Sequence, residues 1–273
     1  MGRLIIWGAG ALGGRVARLW QDGDVLAYTR STANHDALRS NRIRPAVGSP
    51  LNRLQEDDCL LLALPGHEVQ GWALRELRQA QQSAVRRTVL VSTTGVYGRT
   101  PGKVDEETSP GSSARCQSIA AVEEEFLSWS GKQGVVLRMG GLYDDVRGPL
   151  AAVARRGAIR PGPAHVTLAL IHYADAAAAV HAALTHATVK ARYVAVTPPC
   201  PSRKEFYTTI CAWLGMDAPV FTRSQANQGV AGALPEIDAA TEYDVGRLRR
   251  DLLPVPRYPD WRAIYQESRL QKP

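Results

Sequence analysis

The stretch Leu4-Ile5-Ile6-Trp7-Gly8-Ala9-Gly10-Ala11-Leu12-Gly13-Gly14 decides how this chain folds. A short apolar run passes straight into glycines at 8, 10 and 13, and a helical pattern continues over residues 14–20. Gly-x-Gly-x-x-Gly carries little weight alone and much more between a strand and a helix. In that setting Gly8 permits a tight turn, and Gly10 lets the backbone approach a pyrophosphate whose charge the helix N-terminus stabilises. Gly13 lets the helix pack closely on the strand, and Ala11 and Leu12 complete the phosphate-facing turn.

Outward from this stretch, short apolar runs alternate with segments of helical length. Strands are expected over residues 4–7, 25–28, 60–64, 89–91, 135–137 and 193–196. Continuous apolar runs suit strands covered on both faces, so the sheet is expected to be parallel with helices above and below it. The fold class is α/β, a doubly wound parallel (Rossmann) sheet with a smaller C-terminal substrate lobe. The alanine-rich segment 175–184 reads as a close-packed helix, and 147–156 as a basic amphipathic one. After Thr197 the alternation stops at Pro198, Pro199 and Pro201, and helical patterns follow at 203–214 and 244–253. A dinucleotide-binding core is therefore expected over residues 1–146, completed by about 173–197, with 147–172 and 198–273 forming the lobe.

The second strand ends in Thr29-Arg30-Ser31, where an NAD site would carry a carboxylate against the ribose 2′-hydroxyl. Arg30, helped by Thr29 and Ser31, is placed to meet a 2′-phosphate, which favours NADP(H) and leaves NAD as the alternative; a merely solvated Arg30 would look the same. The turn Leu64-Pro65-Gly66 closes another strand at the carboxyl end of the sheet and is expected to border the cofactor, or to serve as a plain turn.

Thirty-three lysines and arginines against 26 acids give a formal charge of +7 in 273 residues, which favours acidic small molecules. The charge is scattered, and no aromatic residues interleave Arg247, Arg249 and Arg250, so nucleic acid is not an expected partner. Cys59, Cys116, Cys200 and Cys211 form no Cys-x-x-Cys pair and read as reduced thiols. The leading apolar run is too short for a signal peptide, and no stretch reaches the roughly 18 apolar residues of a membrane helix. A cytoplasmic protein with no membrane partner is the expectation. His181 and His186 do not share a helix face, and no cluster has metal-ligand spacing, so no metal is expected.

The segment Val89-Leu90-Val91-Ser92-Thr93-Thr94-Gly95-Val96-Tyr97-Gly98, coming after the glycine turn, resembles the strand and active-site turn of extended short-chain dehydrogenases, the family of nucleotide-sugar epimerases and dehydratases. Val104-Asp105-Glu106, Leu137-Arg138-Met139-Gly140-Gly141-Leu142-Tyr143, Ile171-His172-Tyr173-Ala174-Asp175-Ala176-Ala177 and Arg257-Tyr258-Pro259 are similar to that family's later segments in their usual order. The likeness thus covers nearly the whole chain. It is greatest to a small atypical branch marked by a Ser-Ala-Arg stretch eight residues before a glutamate, here Ser113-Ala114-Arg115 and Glu123.

That resemblance implies a nicotinamide directed at Ser92 and Thr93, a homodimer formed through helices at 68–81 and 113–130, and a substrate between core and lobe. The family's Tyr-x-x-x-Lys pair falls on Arg115 and Ile119, so both of those side chains are missing. Arginine cannot act as a general base at neutral pH, but it binds anions and steadies developing negative charge. Thr93 matches the family's Ser/Thr that holds the reacting oxygen. Tyr97 and Tyr143 are the candidate proton carriers, although the resemblance implies a largely structural role for both positions; Cys116 is a weaker candidate, and Arg147 a candidate substrate-phosphate contact or helix cap. His172 and Asp175 are expected to support the fold, and the run Glu123-Glu124-Glu125 to form a solvated helix face. The expected function is an NADP(H)-dependent oxidoreductase or epimerase acting on a small anionic or nucleotide-sugar-like substrate. The alternative is a catalytically silent NADP(H)-binding sensor that passes cofactor redox state to a partner.

Overall fold

The Leu4–Trp7 run forms β1, buried along its length, and passes at Gly10 into helix α1, Ala11–Leu19. The computed structural model describes residues 2–21, 23–82, 85–157, 159, 162–221 and 240–264. Six further strands join β1: β2 (Val25–Thr29), β3 (Arg44–Val47), β4 (Cys59–Leu62), β5 (Arg87–Thr93), β7 (Gly134–Met139) and β10 (Arg192–Ala195). Every pairing is parallel, in the spatial order β10-β7-β5-β4-β1-β2-β3. The order reverses between β1 and β4, and the crevice at their carboxyl ends is where such sheets bind ligands.

Side-chain alternation along each strand feeds two cores. Leu4, Ile6 and Leu61 face α1 and helix α6, Tyr173–Thr185, whose alanines allow it to lie close against α1. Ile5, Trp7, Leu60 and Leu62 face helix α3, His67–Gln79, and Phe126 of helix α4, Ala114–Ser130. These continuous buried runs match the strand pattern expected of a doubly wound sheet. The departure is β3, whose Arg44-Pro45-Ala46-Val47 is largely exposed. It pairs with β2 alone, and an edge position tolerates a proline and needs no apolar run.

Beyond the main sheet, β6 (Gly102–Val104) pairs with β11 (Thr241–Tyr243), and β8 (Gly141–Tyr143) with β9 (Leu170–His172). Leu150, Val153, Leu170, Phe206, Ile210, Trp261 and Ile264, from the regions expected to build the lobe, form a separate small core with Tyr143 of the expected dinucleotide-binding core. Helix α7 spans Arg203–Leu214, as its pattern indicates. Two helices begin later than expected, each for a local reason. Helix α5, Pro149–Arg156, starts only after Gly148 turns the chain at φ +93°, and α8, Gly246–Asp251, only after the Asp244 carboxylate has accepted the Gly246 N–H at 2.8 Å. The lobe expected to extend over 198–273 includes residues 222–239 and 265–273, which lie outside the described residues.

Candidate functional site

At the switch point the three glycines divide the labour foreseen for them. Gly8 has φ +102°, and a Cβ there would meet the Ala63 carbonyl oxygen at 2.6 Å, so the turn requires glycine. At Gly13 a Cβ would sit 2.9 Å from the Gly8 oxygen and 3.0 Å from Ile6, which is the close approach of helix to strand. At Gly10 it would meet nothing within 4 Å. Gly10 therefore keeps space open in front of the α1 N-terminus, whose cap makes no side-chain hydrogen bond.

This turn forms one wall of a ~730 Å3 cavity lined also by Thr29, Arg30, Ser31, Leu64, Pro65 and Trp72. Arg30 is exposed and makes no hydrogen bond or ion pair with any described residue. No carboxylate lines the cavity. The Thr29 hydroxyl is committed elsewhere, donating to the Ser31 carbonyl at 2.8 Å and meeting His35 Nε2 at 2.7 Å; it shapes the loop that carries Arg30. Opposite, Trp72 is 44% exposed, a large apolar ring left facing the cavity, with its edge on Trp7 at 5.7 Å between centroids. Gln70 donates to the Leu64 carbonyl at 2.9 Å and the Val91 carbonyl at 2.8 Å, pinning the Leu64-Pro65-Gly66 turn to β5. A nicotinamide dinucleotide fits these residues: open phosphate turn, acid-free arginine, apolar wall for a purine.

The reaction end is built differently. Thr93 ends β5 half-buried, and its hydroxyl accepts the Gly95 N–H at 3.1 Å. Ser92 is buried, and its hydroxyl donates to Glu123 at 2.5 Å, turned away from any open cavity. Glu123 also holds Arg138, through bonds of 3.0 and 2.8 Å to one oxygen. Arg138 donates in turn to the Tyr97 hydroxyl at 2.9 Å and the Glu106 carbonyl at 3.1 Å. The Tyr97 hydroxyl donates to the Asp105 carbonyl at 2.7 Å, and burial pushes its pKa up to about 12 despite the neighbouring Arg138.

Two expectations are corrected here. Glu123 is not on a solvated face: it is 1% exposed, because the side of α4 that carries it packs on β5 and β7, where Arg138 supplies its counter-charge. Tyr97, entirely buried with both hydrogen-bonding roles of its hydroxyl filled, is a fixed part of the same network. Tyr143 is also buried, in the small core, but its hydroxyl has no hydrogen-bond partner among the described residues, and burial raises its pKa. Ile119 is 2% exposed in the main core, and Arg115 lies exposed on the first turn of α4. Cys116 is buried beside it, its thiol donating to the Gly95 carbonyl at 3.4 Å.

Arg147 is exposed, and burial raises the pKa of the nearby Tyr173 hydroxyl although the Arg147 guanidinium opposes that shift. Its backbone N–H goes to Asp144 at 2.6 Å, and Asp144 is ion-paired with Arg15 of α1. Arg15 in turn lies 4.6 Å over the Tyr173 ring. Arg15 and Asp144 thus tie the β8 loop to the phosphate-turn helix, a link the sequence reading missed. His172 caps α6, accepting the Ala174 N–H at 3.1 Å, and stacks on Tyr258 at 3.6 Å. Asp175 accepts the N–H groups of Arg257 and Tyr258 at 2.7 and 3.0 Å, fastening the Arg-Tyr-Pro segment.

No protein-family model matches the chain, and no curated protein matches it in sequence. Solved structures do match it. The UDP-glucuronic acid 4-epimerase from Bacillus cereus, in complex with NAD, is 16% identical with a TM-score of 0.73, each chain covered in full at 100%. The human epimerase family protein SDR39U1 with NADPH is 18% identical with a TM-score of 0.70, 98% of each chain being covered. MoeE5 in complex with UDP-glucose and NAD is 18% identical with a TM-score of 0.72, over 97% of this chain and 96% of that one. This chain has the fold of those three proteins. Arg15, Gln70 and Trp72 are residues the sequence reading left out; Trp72 had one usable signal, a large apolar residue on the polar side of an amphipathic helix.

Proposed function

We propose that the protein is a nicotinamide-dinucleotide-dependent oxidoreductase or epimerase that prefers NADP(H) and acts on a small anionic or nucleotide-sugar-like substrate. The observation that carries this reading is Arg30, without a partner among the described residues, in an acid-free cavity whose phosphate wall stays open at Gly10. The three solved structures named above hold NAD or NADPH, and one of them also holds UDP-glucose, which supports the same class of ligand.

When bound, the dinucleotide supplies a hydride donor or acceptor. Gly8, Gly10, Ala11, Leu12 and Gly13 would hold its pyrophosphate, Arg30 and Ser31 its 2′-phosphate, and Leu64, Pro65 and Trp72 its purine. Ser92, spent on Glu123, fixes the end of β5 next to Thr93. Thr93 holds the reacting oxygen of the substrate, and Arg115 and Arg147 bind its negative groups. Tyr143 is the proton donor in this reading, since its hydroxyl, unlike that of Tyr97, is not spent on a described neighbour. A homodimer through the adjoining α3 and α4, in the cytoplasm, belongs to the same reading. Cys59, Cys116, Cys200 and Cys211 form no disulfide, and no helix among the described residues is long and apolar enough to cross a membrane.

The rival reading, a silent NADP(H) sensor, is favoured by Ile119 and by the commitment of Tyr97 to the core. Two readouts separate them: NADPH absorbance followed with keto-sugars, imines and enones, and chromatographic analysis of product from a panel of UDP-sugars, because an epimerase returns its hydride to the sugar and leaves the absorbance unchanged. The enzyme reading expects turnover that Thr93→Ala or Tyr143→Phe lowers by roughly 100-fold or more. Tight NADPH binding with no turnover across the panel would leave the sensor.

A further inference from the structure

Beside the first turn of α4 lies a second cavity, of ~680 Å3, enclosed by the loops 95–101 and 111–116. None of its lining residues belongs to the dinucleotide cavity. Arg99 and Arg115 both line it and are both exposed, and neither makes a hydrogen bond or ion pair with any described residue. No carboxylate lines it; its other polar side chains include the hydroxyls of Thr100, Ser112 and Ser113. Other arginines of the chain, such as Arg3, Arg44 and Arg247, are met by Asp58, Asp24 and Glu107. Two cations on one cavity without a counter-charge favour an anion there. The end of α4 is already capped, Ser113 accepting the Cys116 N–H at 3.2 Å, so the arginine side chains and not the helix end supply the attraction.

One guanidinium fork engages both oxygens of a carboxylate and matches its single charge. A phosphate monoester, near −2 at neutral pH with three acceptor oxygens, can use two. The cavity is also far larger than a phosphate and leaves room for the body of a small molecule. We infer that this cavity takes the phosphoryl group of a small phosphorylated substrate, with Arg99 and Arg115 as its donors. The inference rests on the proposed oxidoreductase or epimerase function, since α4, which Arg115 begins, packs against the turn that follows Thr93.

The test is calorimetric titration of the NADPH-saturated protein with inorganic phosphate and with acetate. Phosphate should bind, acetate at least ten-fold more weakly, and Arg99→Ala or Arg115→Ala should each weaken phosphate by roughly ten-fold or more. Arg249→Ala, an exposed arginine outside the lining, should leave it unchanged. Both cavity residues are exposed, and an unaltered melting curve for each variant excludes unfolding. Absence of phosphate binding at millimolar concentration, equal affinity in the variants, or acetate binding as tightly as phosphate would overturn the inference. If NADPH itself fails to bind, the proposed function falls, and the same titration of nucleotide-free wild type and Arg99→Ala still decides the cavity.

Discussion

Along the carboxyl edge of one sheet, the dinucleotide end and the reaction end treat their polar groups in opposite ways. Around Gly10 the protein leaves groups unspent: Arg30 has no described partner, and Trp72 keeps much of its ring outside the core. Around Thr93 it spends its buried groups internally, Ser92 on Glu123, Glu123 on Arg138, and Arg138 on Tyr97, and the groups without a described partner, such as Arg115, stand at the surface. An unsatisfied group at a surface is available to a ligand, whereas a buried one must be satisfied by the fold itself. The contrast separates residues that meet ligand from residues that hold the frame, and residue type alone does not reveal which is which.

The sharpest way to break that contrast is Glu123→Ala. If Glu123 belongs to the frame, its loss strands a buried guanidinium and costs about 3–5 kcal/mol, read by denaturant unfolding. A loss below about 1 kcal/mol would return Glu123 to the solvated face first expected of it.

Next in size is a pair of glycines compared within one turn. Gly10→Val should leave the melting temperature nearly unchanged and weaken NADPH by roughly 100-fold, because its side chain fills space that the protein itself does not use. Gly13→Val should instead lower the melting temperature, because its Cβ would lie 2.9 Å from the Gly8 oxygen. Reversal of the two phenotypes would refute the division of labour within the turn.

The smallest expected effect is on turnover in Tyr97→Phe, which should stay within a few-fold of wild type. Its signature lies in alkaline stability. Burial holds the folded-state pKa near 12 against the ordinary 10, so the folded state keeps this proton where the unfolded chain has lost it. The stability contributed by the neutral phenol is full below pH 10 and is lost as pH rises through 12. Tyr97→Phe should flatten that part of the profile, measured by unfolding between pH 9 and 12. A large fall in turnover with an unaltered alkaline limb would restore Tyr97 to the chemistry.

Strands buried on both faces declare themselves as apolar runs, and Leu4–Trp7, Cys59–Leu62 and Gly134–Met139 were legible for that reason. The edge strand Arg44–Val47 was not, because one partner and an exposed face impose no pattern. The glycine turn was legible because backbone sterics tie each glycine to a task, and Arg30 because a strand end fixes its place. Glu123 was misread because a run of three glutamates on a helix carries no mark of which one faces the sheet. Arg15, Gln70 and Trp72 act through partners 129, 21 and 65 residues away in the chain, and such pairings exist only once the fold has brought them together.

The central claim is that this turn and Arg30 select a dinucleotide bearing a 2′-phosphate. Calorimetric titration of wild type and Arg30→Ala with NADPH and NADH tests it most directly. The account predicts a roughly 10- to 100-fold preference for NADPH that collapses toward parity in the variant, as loss of one charge-assisted contact of ~1.5–3 kcal/mol requires. Equal affinity of wild type for the two nucleotides, or no binding of either, would contradict it.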